Sequence, residues 1–163
     1  MRRRLNLSVD TFIVAKRWRH KINLNPANQN PGEPMIDRKK VLVLDPSPIF
    51  RRALKEVIQT IETHVDVVEA GDTEQAETIL RTESPDVVFI DIAIPGYNGV
   101  AFIASVKALV PDSRIVVLTS RDSDEYQDAS LENGADYFLS KEQTGGLRLM
   151  DVIRETIRRK DTR

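Results

Sequence analysis

Five short apolar runs punctuate this chain, and between them the apolar residues space out to a helical period. Val41 to Leu44 (running on to Asp45), Val65 to Glu69, Val87 to Ile90, Arg114 to Thr119 and Ala135 to Leu139 are rich in β-branched and large aliphatic residues. Unbroken runs of this kind suit parallel strands covered on both faces. After the first, Ser47 offers an N-cap and Pro48 fits the first helical position. Phe50, Ala53, Leu54, Val57, Ile58 and Ile61 then fall on one helical face. Asp72, with Gln75 three residues on, fits a capping box ahead of Ala76, Ile79 and Leu80, and Ser84-Pro85 ends that helix. Val100, Ile103, Val106, Leu109 and Val110 mark a third helix that Pro111 stops. The fourth, Ser123 to Asn133, offers only Tyr126, Ala129 and Leu131, with Asn133-Gly134 as its stop. So little apolar area predicts a loosely held helix that is able to shift. From the last helix Leu149, Met150, Ile153 and Ile157 face the core, while Arg154, Arg158, Arg159 and Lys160 suit its negative C-terminal end.

Strand and helix alternating five times require parallel pairing with right-handed crossovers. The expected fold is α/β: a doubly wound five-stranded parallel sheet of order 2-1-3-4-5, the flavodoxin-like arrangement. In that order the ends of the first and third strands meet at the switch point, which makes Asp45 and Asp91 neighbours.

The carboxyl edge of such a sheet is where ligands bind. Here it presents Asp45, Asp91, Thr119 and, just past the fifth strand, Lys141. Asp91 stands out, because it ends a buried run and leads into the turn Pro95-Gly96-Tyr97-Asn98-Gly99. Two adjacent carboxylates repel each other unless a cation sits between them. A hard divalent ion with oxygen ligands fits, Mg²⁺ more readily than Zn²⁺. Lys141 supplies a fixed positive charge and Thr119 a hydroxyl donor. Together they suit a doubly charged group built onto Asp91, above all a phosphoryl group. No His or Cys lies near these strand ends, and His20 and His64 fall elsewhere.

Charge divides the chain. Residues 1–40 carry ten Lys and Arg against three acids, a balance of +7, whereas residues 41–163 carry fourteen against twenty-two, a balance of −8. Residues 1–38 are therefore set apart as a basic N-terminal extension, in which Ser8 could cap a short helix bearing Val9, Phe12 and Ile13. The cluster Lys16-Arg17-Trp18-Arg19-His20-Lys21 follows, then a Pro-, Asn- and Gly-rich stretch that cannot support a packed core. Three readings stand side by side: a solvated extension, a functional chain that starts at Met35, and a basic arm for nucleic acid, acidic lipid or a partner. No apolar stretch approaches the roughly 20 residues needed to span a bilayer. The absence of cysteine excludes disulfides, thiolate metal sites and Cys nucleophiles. A cytoplasmic location is expected.

Four motifs at this spacing resemble the receiver domain of two-component response regulators, the fold of the chemotaxis-type single-domain receivers. They are Val41–Asp45, Asp91–Gly99, Leu118-Thr119-Ser120 and Gly134–Lys141, and the likeness runs over about residues 38–160. The resemblance implies that Asp91 is the phosphoacceptor, taking a phosphoryl group from a histidine kinase or a phosphotransfer protein. It makes Asp45 a Mg²⁺ ligand alongside Asp91 and the backbone carbonyl of Ala93. Thr119 and Lys141 become partners of the phosphoryl group, and Phe138 the aromatic switch position. A downstream protein would dock on the 123–160 face. The implied domain, residues 39–160, is a signalling module that catalyses only its own phosphorylation and dephosphorylation. No output domain is expected after it, nucleic acid is not an expected partner, and dimerisation is left open.

Three departures from the pattern matter. Pro46 stands where the family has a second metal-binding acid, which should weaken Mg²⁺. Glu142 follows the lysine where many receivers have proline, as in receivers joined to helix-turn-helix output domains. Ala93 and Arg121 occupy the positions thought to orient the hydrolytic water, and Ala93 has no side chain to do so, which implies slow self-dephosphorylation. Pro46 also supports an alternative, a receiver-like interaction module that works without phosphorylation. A dehalogenase-like phosphatase would need an acid at Ala93, and a flavin-binding module would need a phosphate loop where Asp45-Pro46-Ser47-Pro48 stands.

Overall fold

Side chains at the helix starts fix where each crossover begins. In the computed structural model, which describes residues 38–158, Ser47 Oγ accepts the N–H of Phe50 at 3.3 Å and Pro48 opens α1 (Pro48–Ile61). Asp72 Oδ1 accepts the Gln75 N–H at 2.8 Å to start α2 (Thr73–Glu83), and Gln75 Oε1 reaches back to the Gly71 N–H. Asn98 Oδ1 caps α3 (Gly99–Leu109) through Ala101 N–H. These caps each satisfy an N–H that a helix end would otherwise leave bare. Ser123 stands at the N-cap of α4 (Asp124–Glu132) but makes no side-chain cap bond. The last helix, α5, spans Gly146–Arg158.

The strands are β1 (Lys39–Leu44), β2 (Val65–Ala70), β3 (Val87–Ile90), β4 (Arg114–Thr119) and β5 (Tyr137–Ser140). They pair in parallel in the order β2-β1-β3-β4-β5, as expected. Successive residues of each strand point to opposite faces, and both faces are covered. Val41, Val43 and Phe89 pack with Leu54 and Ile58 of α1 and Val152 and Ile153 of α5. Leu42, Leu44, Val88 and Ile90 pack with Ala76 and Leu80 of α2 and Ile103 and Val106 of α3. Burial on both faces is why the strands read as continuous apolar runs rather than alternating ones.

Several sequence readings shift. The fifth strand starts at Tyr137, not Ala135: the Asp136 carboxylate takes Ile115 N–H at 2.9 Å and Arg114 Nη1 at 2.7 Å, while the Asp136 backbone N–H donates to Ile115 O at 2.8 Å. In α4 the buried residue is Ser130, whose hydroxyl donates to Tyr126 O, and Leu131 is 41% exposed. The inward line is Tyr126, Ala129 and Ser130, and Leu131 is rotated about 100° beyond it by the helical period. Met150 is half-buried, whereas Val152 and Thr156 are buried in α5, and Phe102 joins the core from α3. The readings on Ser8, Val9, Phe12, Ile13, the Lys16–Lys21 cluster, Arg159 and Lys160 lie outside the described residues.

The turn after β3 depends on one close approach. A Cβ added to Gly99 would lie 2.2 Å from Ile92 O and 2.5 Å from Ile92 Cα, and backbone cannot rotate away as a side chain can. Gly99→Ala should therefore cost about 2–3 kcal/mol, read as a lower urea midpoint with an unchanged slope.

Candidate functional site

Register alone gathers the four predicted side chains. Leu44 pairs with Ile90, and the ladder continues one step further through Asp91 N–H to Leu44 O at 2.8 Å and Asp45 N–H to Ala70 O at 3.2 Å. Thr119 ends β4 opposite Ser140, and Lys141 N–H donates to Thr119 O at 2.8 Å. Asp45, Asp91, Thr119 and Lys141 thus leave the same sheet edge as next-door neighbours.

Lys141 Nζ lies between the two acids, 2.5 Å from Asp45 Oδ2 and 2.7 Å from Asp91 Oδ2. Asp45 Oδ1 accepts Ser47 N–H at 2.7 Å. Asp91 Oδ1 accepts both Ala93 N–H at 2.8 Å and the Thr119 hydroxyl at 2.7 Å. Thr119 Oγ1 in turn accepts Arg121 N–H at 3.2 Å. Every carboxylate oxygen of the pair has a donor, which is what burial demands of Asp45 and Asp91, 2% and 4% exposed. Burial still pushes the Asp45 carboxyl above the usual carboxylate range, against the pull of Lys141, and the charge of Asp91 adds to the rise. Arg51 Nη1 donates to Asp45 O at 2.6 Å and so braces the loop that leaves β1.

The sequence pattern called for a cation between the carboxylates and pointed to a metal ion; the cation found there is the Lys141 ammonium. Asp45 and Asp91 offer the hard oxygen donors that suit Mg²⁺, and Ala93 meets the site through its N–H on Asp91 Oδ1. Pro46 adds no charge to this set. Among the described residues no group of three or more Asp, Glu, His or Cys side chains is placed to hold a metal ion. The donors thus fit a hard divalent ion chemically, with one acid fewer than the family pattern.

In the sequence Phe50 falls on one helical face. Its ring lies 4.0 Å from Lys141 Nζ, against the core between α1 and α5. No spacing rule links residue 50 to residue 141, so the contact was invisible in the sequence.

Phe138 lies on β5, half-buried and packed against the α2/α3 side of the core. Beyond it, Ser140 Oγ donates to Asp122 Oδ2 at 2.6 Å and Gln143 Nε2 to the same oxygen at 2.9 Å. The Ser140 bond holds the Asp122 carboxyl below the usual carboxylate range, with Gln143 adding to it. The β4–α4 loop is thereby tied to the end of β5, while α4 itself buries only Ser130. His64 is exposed, with Nδ1 beside Thr63 Oγ1, and takes no part in this edge. Among the described residues no helix is long and apolar enough to cross a membrane.

The model of the response regulator receiver domain family matches residues 41–154. A nitrate/nitrite response regulator homologue of Haemophilus influenzae is 28% identical over 108 residues, covering 66% of this chain and 52% of its own length. A protein-glutamate methylesterase/protein-glutamine glutaminase of Vibrio vulnificus is 39% identical over 108 residues, covering 64% of this chain and 31% of its own. The chain spans about half the length of the first relative and about a third of the second. A Burkholderia pseudomallei response regulator, solved with a phosphorylated aspartic acid, a calcium ion and citrate, superposes with a TM-score of 0.63 at 24% identity. It covers 73% of this chain and 66% of that one.

Proposed function

This chain belongs to the response regulator receiver family, and from that membership we propose that Asp91 accepts a phosphoryl group from a histidine kinase or a phosphotransfer protein. The observation that carries the reading is Lys141 joined to both Asp45 and Asp91, with the Thr119 hydroxyl already on Asp91. A carboxylate oxygen of Asp91 forms the new O–P bond as the donor's P–N bond breaks. The group that arrives carries up to about two negative charges. Lys141 and Thr119 stand beside it as donors that can stabilise the charge as it builds up. A divalent ion held by Asp45, Asp91 and the Ala93 carbonyl would supply further neutralisation of that charge. Ala93 offers no side chain to position water, so the acyl phosphate should persist.

In this reading residues 39–160 are the receiver unit, residues 1–38 a basic extension, and the molecule works in the cytoplasm as a switch rather than as an enzyme on other substrates. Drawing Thr119 and Lys141 toward the phosphoryl group strains the β4–α4 loop and Phe138, and α4, with only Ser130 buried, is free to follow. The 123–160 face then docks a downstream protein. Beryllofluoride with Mg²⁺ should shift the backbone amide NMR signals of Thr119, Lys141 and residues 123–133. Unchanged spectra would speak for the second reading, a phosphorylation-independent interaction module, which Pro46 favours.

A further inference from the structure

We propose that Phe50 is a positioning residue of this site, its ring face holding the Lys141 ammonium between Asp45 and Asp91. The inference rests on the phosphoacceptor reading for its functional consequence, though not for its geometry. An ammonium has three N–H groups, and two of them point at Asp45 Oδ2 and Asp91 Oδ2. On the remaining side the Phe50 ring lies 4.0 Å away, well within the roughly 6 Å over which a cation is drawn to an aromatic face. With the Lys141 side chain only 16% exposed, water competes poorly for that side.

One short segment builds the whole wall. Asp45 Oδ1 accepts Ser47 N–H, Ser47 Oγ accepts Phe50 N–H, and Phe50 carries the ring back over Lys141. The metal ligand, the helix cap and the ring are thus set by six consecutive residues, Asp45 to Phe50. A ring quadrupole attracts the ammonium without adding net charge to a buried site. Phe50 therefore helps keep Lys141 between the two acids.

The test uses the full chain and reads Lys141 in the unphosphorylated protein. Acetic anhydride in limiting amount labels lysines by accessibility, and peptide masses give the rate at Lys141 relative to Lys55 and Lys107. Phe50→Leu and Phe50→Met keep apolar bulk but remove the ring; Phe50→Trp and Phe50→Tyr keep a face for the cation. Leu and Met should raise the relative acylation of Lys141 roughly five-fold and slow phosphoryl uptake from acetyl phosphate by a similar factor. Trp and Tyr should restore both to within about two-fold of the natural chain. Lys141 acylated at the natural rate in the folded Leu or Met variants would overturn the proposal, as would Trp and Tyr variants no better than Leu. A natural chain that takes no phosphoryl group would sink the functional reading and leave the acylation arm to decide the role of Phe50.

Discussion

Lys141→Met is expected to cost the domain about 3–5 kcal/mol at neutral pH and to abolish phosphoryl uptake. The substitution keeps much of the apolar stem and removes the cation that contacts both Asp45 Oδ2 and Asp91 Oδ2. Two buried carboxylates then face each other without a counter-charge, which is the expensive half of breaking a buried ion pair. The loss should depend on pH in a stated direction. Burial already holds the Asp45 carboxyl above its ordinary range, so the native protein keeps that proton more readily than the unfolded chain. The stability this contributes is fully present below the unfolded pKa, near 4, and is lost as pH rises through the native value. Lys141 opposes that rise; without it the native value climbs further. The gap between variant and natural chain in urea unfolding should therefore be small at pH 4 and widen toward pH 7.5. A second change, Asp45→Asn, should recover much of the loss, because it removes one of the two stranded charges. A gap independent of pH would mean that lost packing, rather than unpaired charge, carries the effect.

Pro46→Asp should tighten Mg²⁺ by about ten-fold or more, a gain of at least about 1.4 kcal/mol. The Lys141 ammonium already sits on both Asp45 and Asp91, which leaves little net negative charge at this edge to hold a divalent ion. A third carboxylate beside Asp45 adds negative charge and a direct oxygen ligand. The same substitution crowds like charges at the resting site, so the metal-free protein should lose stability while the Mg²⁺-bound form regains it. Titration calorimetry on both chains, with thermal unfolding with and without Mg²⁺, reads the two effects together. Equal Mg²⁺ affinities would show that position 46 does not face the bound ion.

Much of the site was legible because strand ends are. An acid closing a doubly buried run has only one place to go, and the alternation of strands and helices fixes which runs lie side by side. Asp45, Asp91, Thr119 and Lys141 therefore converge by register. The position of the ammonium was not legible. Where a four-carbon stem places its charge depends on rotamers and on walls contributed from far along the chain, and here one wall is Phe50, 91 positions earlier. The pattern names Lys141 as a positive charge at this edge, but does not show that its ammonium stands between the two acids. Helix phase failed where the signal was weakest. In α4 the single Leu131 outweighed Ser130 on hydrophobicity, yet the hydroxyl is the group turned inward because it satisfies itself on Tyr126 O. The start of β5 slipped for a related reason, since Asp136 reads as a turn residue or a strand residue until its carboxylate is seen on Ile115 N–H.

Asp91 is the group expected to be modified. The full chain and its Asp91→Asn variant, each incubated with acetyl phosphate and Mg²⁺ and weighed intact, decide this directly. The natural chain should gain the mass of one phosphoryl group, lose it on treatment with hydroxylamine as an acyl phosphate does, and take up none when Asp91 is Asn. A natural chain that stays unmodified where an ordinary receiver is labelled, or an Asp91→Asn chain labelled to the same extent, would contradict it.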